Sequence, residues 1–278
     1  DEYEPILDII RTNLLELGLP LRTLEVEFGP SQVEITFKPT LGLEAADNMM
    51  LFRSAVKQIC RRHGYHATFM CRPGLKNAFS SGWHLHQSLI NNVNGENIFM
   101  PSNEKDLLSP LGMCFVAGIL KHAAAAAVFT TPTLNGYKRY KPNSLAPDRI
   151  VWGKDNKGAM LRVVGAGMND PATHLENRVG EPTANPYLYM ASQILSGMDG
   201  VENTLVPRPP TNDPYALGSE LLPTNLLESI EALNSSHMFR EKLGDQFVDY
   251  LLHIKNAEVS RFFSEVTDWE HQEYFEMF

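Results

Sequence analysis

Cysteine is scarce in this chain: three in 278 residues, Cys60, Cys71 and Cys114. They have no paired spacing and sit among apolar neighbours, so a disulfide framework is set aside and core thiols in a reducing compartment are expected. Positive charge is also in deficit, with 24 Lys and Arg against 33 Asp and Glu and a net charge of −9. That balance argues against a nonspecific nucleic-acid or membrane-surface binder, and any anionic ligand must be met by a local arginine cluster or by metal ions. No long hydrophobic run is uninterrupted. The longest, Met113 to Thr130, is broken by Lys121 and His122 and reads as a buried helix rather than a membrane span. No basic-then-apolar signal opens the sequence, and the expectation is a soluble, cytoplasmic protein with no membrane and no nucleic-acid partner. Repeats, low-complexity tracts and linkers are missing as well, so 1–278 is read as one domain, large enough to bury a sizeable core.

What is present reads as alternating helices and short strands. Glu4 to Leu17 carries Ile6, Leu7, Ile9, Ile10, Leu14 and Leu17 at helical spacing and stops at Gly18. Two alternating segments then flank Gly29-Pro30-Ser31, a turn or bulge signature. Leu43 to His63 is helical and closes at Gly64, and YHATFMC predicts a strand that leads through a loop to SSGWHLHQSL. A long helix from about Leu107 to Phe129 follows, then strands near RIVWG, AMLRVV and THLENRV, then a mostly helical tail from Pro186 with Pro207 to Pro214 as a surface connection. Short, antiparallel-looking strands among helices imply an α+β layer architecture rather than a regular βαβ winding.

The stretch Ser80 to Leu89 raises a chemical question. In an extended strand His84, His86 and Ser88 share one face, while Trp83, Leu85, Gln87 and Leu89 take the other. A half-buried strand with a wet polar face explains this as well as a ligand site does, so the motif needs partners. Glu27 and Glu34, on either side of the Gly-Pro turn, are either solvated acids or, with a histidine, the hard-oxygen and imidazole set that suits magnesium or manganese. Arg139, Arg162 and Arg178 each lie beside apolar neighbours that would hold a guanidinium in a partly buried place, as structural ion pairs or as forks for carboxylates and phosphates. If THLENRV is a strand, Glu176 and Arg178 share a face.

At these residues the sequence resembles the glutamine synthetases and their relatives that join glutamate to amines. The ordered motifs run through almost the whole chain: E-F-G-P-S-Q-V-E, A-A-D-N with F-M-C-R-P, S-G-W-H-L-H-Q-S-L, N-G-Y-K-R-Y with A-P, H-L-E-N-R with A-N-P-Y-L, and V-T-D-W-E. The resemblance implies a glutamine-synthetase-type catalytic domain with a mostly antiparallel curved sheet and flanking helices. It implies that Glu27 and Glu34 hold one Mg2+ or Mn2+ ion and that His84 and Glu176 help hold a second. His86 and Ser88 would lie along ATP, with His174 where an arginine often contacts the nucleotide. Arg139 and Arg178 would bind the carboxylates of L-glutamate, and Arg162, with Lys157 where arginine is usual, would face the phosphoryl group. ATP would phosphorylate the side-chain carboxylate of glutamate, and an amine would displace phosphate from the acyl phosphate, a reaction that rests mainly on positioning and charge neutralisation.

Three departures touch substrate choice. Phe79 falls near the usual Asn-Gly that contacts glutamate, Leu145 occupies the place of the glutamate that takes a proton from ammonium, and His174, a milder change, stands where an arginine often contacts the nucleotide. An amine other than ammonia is therefore the expected acceptor, with ordinary glutamine synthesis or a non-catalytic scaffold as alternatives. Set against the family pattern, this chain, without a small N-terminal β domain and an upstream Glu-x-Glu strand, is expected to be a C-terminal portion of a longer protein or a naturally shortened relative, and the family forms homo-oligomeric rings with sites between subunits.

Overall fold

A computed structural model describes residues 2–144, 146–165 and 167–278. Helix α1 (Glu4–Glu16) buries Ile10 and Leu14 and ends where Gly18 takes φ +81°, the left-handed turn that the sequence places there. Strands β1 (Leu21–Val26) and β2 (Val33–Phe37) form an antiparallel hairpin in which Glu25 pairs with Glu34. Helix α2 (Glu44–Arg62) packs beside α1, and Ile10, Leu14, Phe52, Val56 and Ile59 fill one core. A second sheet of four strands runs β3-β6-β5-β4, from β3 (Leu85–Gln87), β4 (Trp152–Lys154), β5 (Leu161–Val164) and β6 (His174–Asn177). All its pairs are antiparallel except β4 with β5. Leu161, Val163 and Leu175 point from it into a core with Phe99, Phe115 and Trp152, which leaves Arg162, His174 and Glu176 on the opposite face.

The helical tail comprises α5 (Pro186–Glu202), α6 (Leu226–Asn234), α7 (His237–Leu243), α8 (Asp245–Ser264) and α9 (Asp268–Tyr274). Asn185 and Asn225 cap α5 and α6 through their side chains, and Thr267 with Glu270 forms a capping box that starts α9. The cysteines are free; Cys60 and Cys71 are buried, and burial pushes the Cys71 thiol up to about 12, as inert core thiols require.

Two expectations need correction. YHATFMC forms no strand and pairs with none among the described residues, because a ladder needs a neighbouring edge that a local sequence pattern does not supply. The helix predicted over 107–129 is two helices, α3 (Pro110–Lys121) and α4 (Ala123–Thr130), bent by 77°. At the break Lys121 Nζ and His122 Nε2 both reach Asp199 Oδ2 on α5, at 2.9 and 2.8 Å, so the polar pair in the apolar run marks a corner. The corner sends α3 into the sheet's core and α4 into a different one with Leu226, Phe239 and Val248. Among the described residues no single helix is long and apolar enough to cross a membrane.

Candidate active site

Register brings the chemistry together. Glu176 on β6 lies opposite His86 on β3 and opposite Arg162 on β5, so residues 86, 176 and 162 form one row across three strands. Glu176 is 2% exposed, and its carboxylate is saturated by neighbours. Oε1 accepts from Arg178 Nη1 at 2.5 Å and lies 3.1 Å from His84 Nδ1, while Oε2 accepts from Arg162 Nη1 at 3.1 Å. Burial alone would raise the Glu176 pKa. The His84 hydrogen bond and the adjacent charges of Arg178 outweigh it and hold the group well below the usual carboxylate range.

His84 is fixed in one tautomer. Arg139 Nη2, which can only donate, lies 3.3 Å from His84 Nε2, so Nε2 accepts, and Nδ1 carries the hydrogen that goes to Glu176. Arg178 Nη1, 3.5 Å from that Nδ1, is then a close neighbour and not a bonding partner. Burial, together with the two arginines, lowers the His84 pKa to about 4, against the pull of Glu176, and the ring is neutral at pH 7. The arginines are themselves anchored: Arg139 Nη1 donates to the carbonyls of Arg178 and Val179 at 3.0 and 3.1 Å, and Arg178 Nε donates to the Lys157 carbonyl at 2.7 Å. Arg162 also pairs with Asp155 Oδ1 at 3.3 Å, and its Nε is buried with no hydrogen-bond partner among the described residues. His174 Nδ1 donates to the Ala172 carbonyl, and its Nε2 lies within hydrogen-bond distance, 2.9 Å, of His86 Nδ1. The half-exposed His86 turns its Nε2 toward Glu176 Oε1, at 3.7 Å.

Seven of the residues singled out in the sequence, His84, His86, Arg139, Arg162, His174, Glu176 and Arg178, thus form one connected face. Glu34 stands near it without bonding to it. Burial raises its pKa, and Glu27, Glu25 and Glu176 raise it further against Arg178. Glu27 and Glu34 do not close on a common point with His84 and Glu176: no three His, Cys, Asp or Glu side chains among the described residues form a group that could hold a metal ion. As arranged, these donors do not fit a divalent cation. Ser88, Phe79 and the side chain of Lys157 are exposed. Leu145 lies outside the described residues.

Sequence reasoning missed Asp155, Gln32 and Glu181. Asp155 sits in a D-N-K-G turn at φ +50°, a signal of a turn that says nothing of its ion pair with Arg162. Gln32 Nε2 donates to Ser81 Oγ at 2.9 Å and ties the β1–β2 turn to the segment before His84. Glu181, 1% exposed, accepts from Thr133 N and Oγ1 at 2.8 Å and props the short 3-10 turn, Gly136–Arg139, that carries Arg139.

Comparison with known proteins adds the following. Residues 1–274 match the model of the glutamine synthetase catalytic domain. The chain is 50% identical over 291 aligned residues to the gamma-glutamylanilide synthase of an Acinetobacter species, covering 100% of this chain and 58% of that protein. It is 35% identical over 270 residues to a glutamine synthetase of Thermus thermophilus, covering 94% and 59%. A solved structure described as a GmaS/ADP complex superposes with a TM-score of 0.89 at 28% identity, covering 99% of this chain and 65% of that one. The chain therefore spans about six-tenths of the length of the relatives it matches.

Proposed function

Because this chain belongs to the glutamine synthetase family through its catalytic domain, we propose that the protein containing it is an ATP-dependent ligase. It joins the side-chain carboxylate of L-glutamate to an amine other than ammonia. The observation that carries the reading is the convergence of three guanidinium groups on one face: Arg178 and Arg162 bond to Glu176 and Arg139 to its partner His84, with Asp155 on Arg162 and Glu34 nearby as the other acids. In a chain of net charge −9 such a cluster of arginines is local and built, and it suits substrates that bring carboxylates and phosphates.

Each residue then has a role within the proposal. Arg139 and Arg178, with side chains anchored by carbonyls, bind the carboxylates of glutamate. Arg162, whose side chain is partly open to solvent, neutralises charge on the phosphoryl group in transit, and exposed Lys157 assists it. His86 and His174, linked ring to ring, with Ser88 beyond, lie along the nucleotide. A carboxylate is too poor an electrophile for an amine, so ATP converts it to an acyl phosphate whose phosphate the amine displaces. Neutral His84 keeps Glu176 oriented and ionised between the arginines. Family members use divalent metal ions, which supply charge neutralisation at the phosphates. The donors present do not form a cage, so no step is assigned to a metal here. The ring of subunits is part of the same proposal and rests on family membership alone.

The name of the 50% identical relative, an anilide synthase, favours an aryl amine as acceptor. The 35% identical glutamine synthetase favours the second reading, ammonia. The test is phosphate release by the full-length protein with ATP, glutamate and either ammonium or aniline. Release that requires both glutamate and an amine, and is faster with aniline at equal free-base concentration, is the expected result. Release without glutamate refutes the ligase reading, and a preference for ammonium replaces the first reading with the second.

A further inference from the structure

Beside the arginine face stands an exposed aromatic pair. Phe28 is 78% exposed and Phe79 54%, with ring centroids 6.3 Å apart and planes inclined at 33°. Neither ring fills a core, yet their backbones are held. Gly29 N donates to Gln32 Oε1 at 2.9 Å, and Gln32 Nε2 donates on to Ser81 Oγ at 2.9 Å and the Ser80 carbonyl at 3.4 Å. The two segments approach so closely that a Cβ on Gly29 would meet Gln32 Oε1 at 2.8 Å and Phe79 N at 3.2 Å. The pair is therefore an exposed apolar surface carried on backbone segments that are tied to each other.

Its position is next to the proposed chemistry. Phe28 follows Glu27 directly. Phe79 precedes Gly82 by three residues, a span of at most about 11 Å, and Arg139 Nη2 and His84 Nε2 stand 2.6 Å from where a Cβ of Gly82 would project. Resting on the glutamate–amine ligase reading, we infer that Phe28 and Phe79 hold the aromatic ring of the acceptor amine and determine its preference over small amines. Two inclined rings offer a third ring offset and edge-to-face contacts, which an alkyl chain cannot make. An aryl amine, uncharged at neutral pH because its lone pair is shared with the ring, reaches this surface without the hydration shell of an ammonium ion. An alkylammonium would instead be held by cation attraction to the rings and to Glu27, with a marked dependence on salt.

The experiment measures kcat/KM for aniline and for methylamine in the full-length protein, with glutamate and ATP saturating, for the wild type, Phe28→Ala and Phe79→Ala. The aniline-to-methylamine ratio is expected to fall about tenfold or more in each variant, through KM for aniline, with Phe28→Leu intermediate. Thermal midpoints near the wild type show that the exposed sites were changed without unfolding. A ratio within twofold of the wild type, a parallel loss for both amines, or a salt-sensitive preference for methylamine overturns the assignment of the pair while leaving the ligase reading standing. No phosphate release from the wild type with any amine overturns the ligase reading, and this inference with it.

Discussion

Replacing Glu176 with glutamine keeps the shape of the side chain and removes the charge on which the arginine face converges. Glu176 is 2% exposed and the side chain of Arg178 8%, so water does not readily replace the carboxylate that Arg178 bonds at 2.5 Å, while Arg162, bonded at 3.1 Å, is partly open to solvent. Breaking a buried ion pair by removing one partner costs roughly 3–5 kcal/mol, because a charge is left without compensation. The glutamine carbonyl still accepts from one arginine, which places the expected loss at the lower end, about 3 kcal/mol. For a chain of this size that amounts to a fall in thermal midpoint on the order of 5–10 °C. Differential scanning calorimetry of wild type and Glu176→Gln at pH 7, at matched protein concentration, measures it. Glu176→Leu, which offers no acceptor at all, is expected to fall further. A midpoint for Glu176→Gln within about 2 °C of the wild type, or a Leu variant more stable than the Gln variant, would refute the claim that Glu176 is the electrostatic keystone of this face.

Two further outcomes follow from the helices. A Cβ on Gly118 of α3 would lie 2.0 Å from the Ser196 carbonyl oxygen of α5, and one on Gly200 would lie 2.0 Å from the Cys114 carbonyl, so Gly118→Ala must push two packed helices apart. The gain of about 1 kcal/mol in helix propensity is outweighed, and a net loss of roughly 2 kcal/mol or more should appear as a lower denaturant midpoint; an unchanged midpoint would mean that the crossing is looser than the structure shows. At the α3–α4 corner, burial lowers the His122 pKa from its ordinary 6.5 despite Asp199, so the unfolded chain takes up this proton first as pH falls. Stability is therefore expected to decline as pH drops below 6.5, and His122→Asn to show a shallower decline over the same interval; equal slopes in urea titrations between pH 7 and 5 would remove His122 from the account.

Much of this protein is legible in local pattern. Helical spacing with Gly18 and Gly64 at positive φ delimits α1 and α2, and alternation separates Leu161, Val163 and Leu175 from Arg162, His174 and Glu176. The ordered motifs, carried by residues far apart in the chain, suffice to recognise the family. Periodicity encodes which way a backbone runs and which face it buries, because both depend on neighbours a few residues away. Which strand meets which is a different question. That His86, Arg162 and Glu176 stand in one row, that the helix through His122 turns a corner onto Asp199, that 65–70 finds no strand to pair with among the described residues, and that Phe28 and Phe79 come together across 51 positions were decided by tertiary structure. The physical reason is that register and crossing are chosen by the joint burial of several faces and the pairing of buried charges, and those free energies belong to contacts between segments that no local stretch contains.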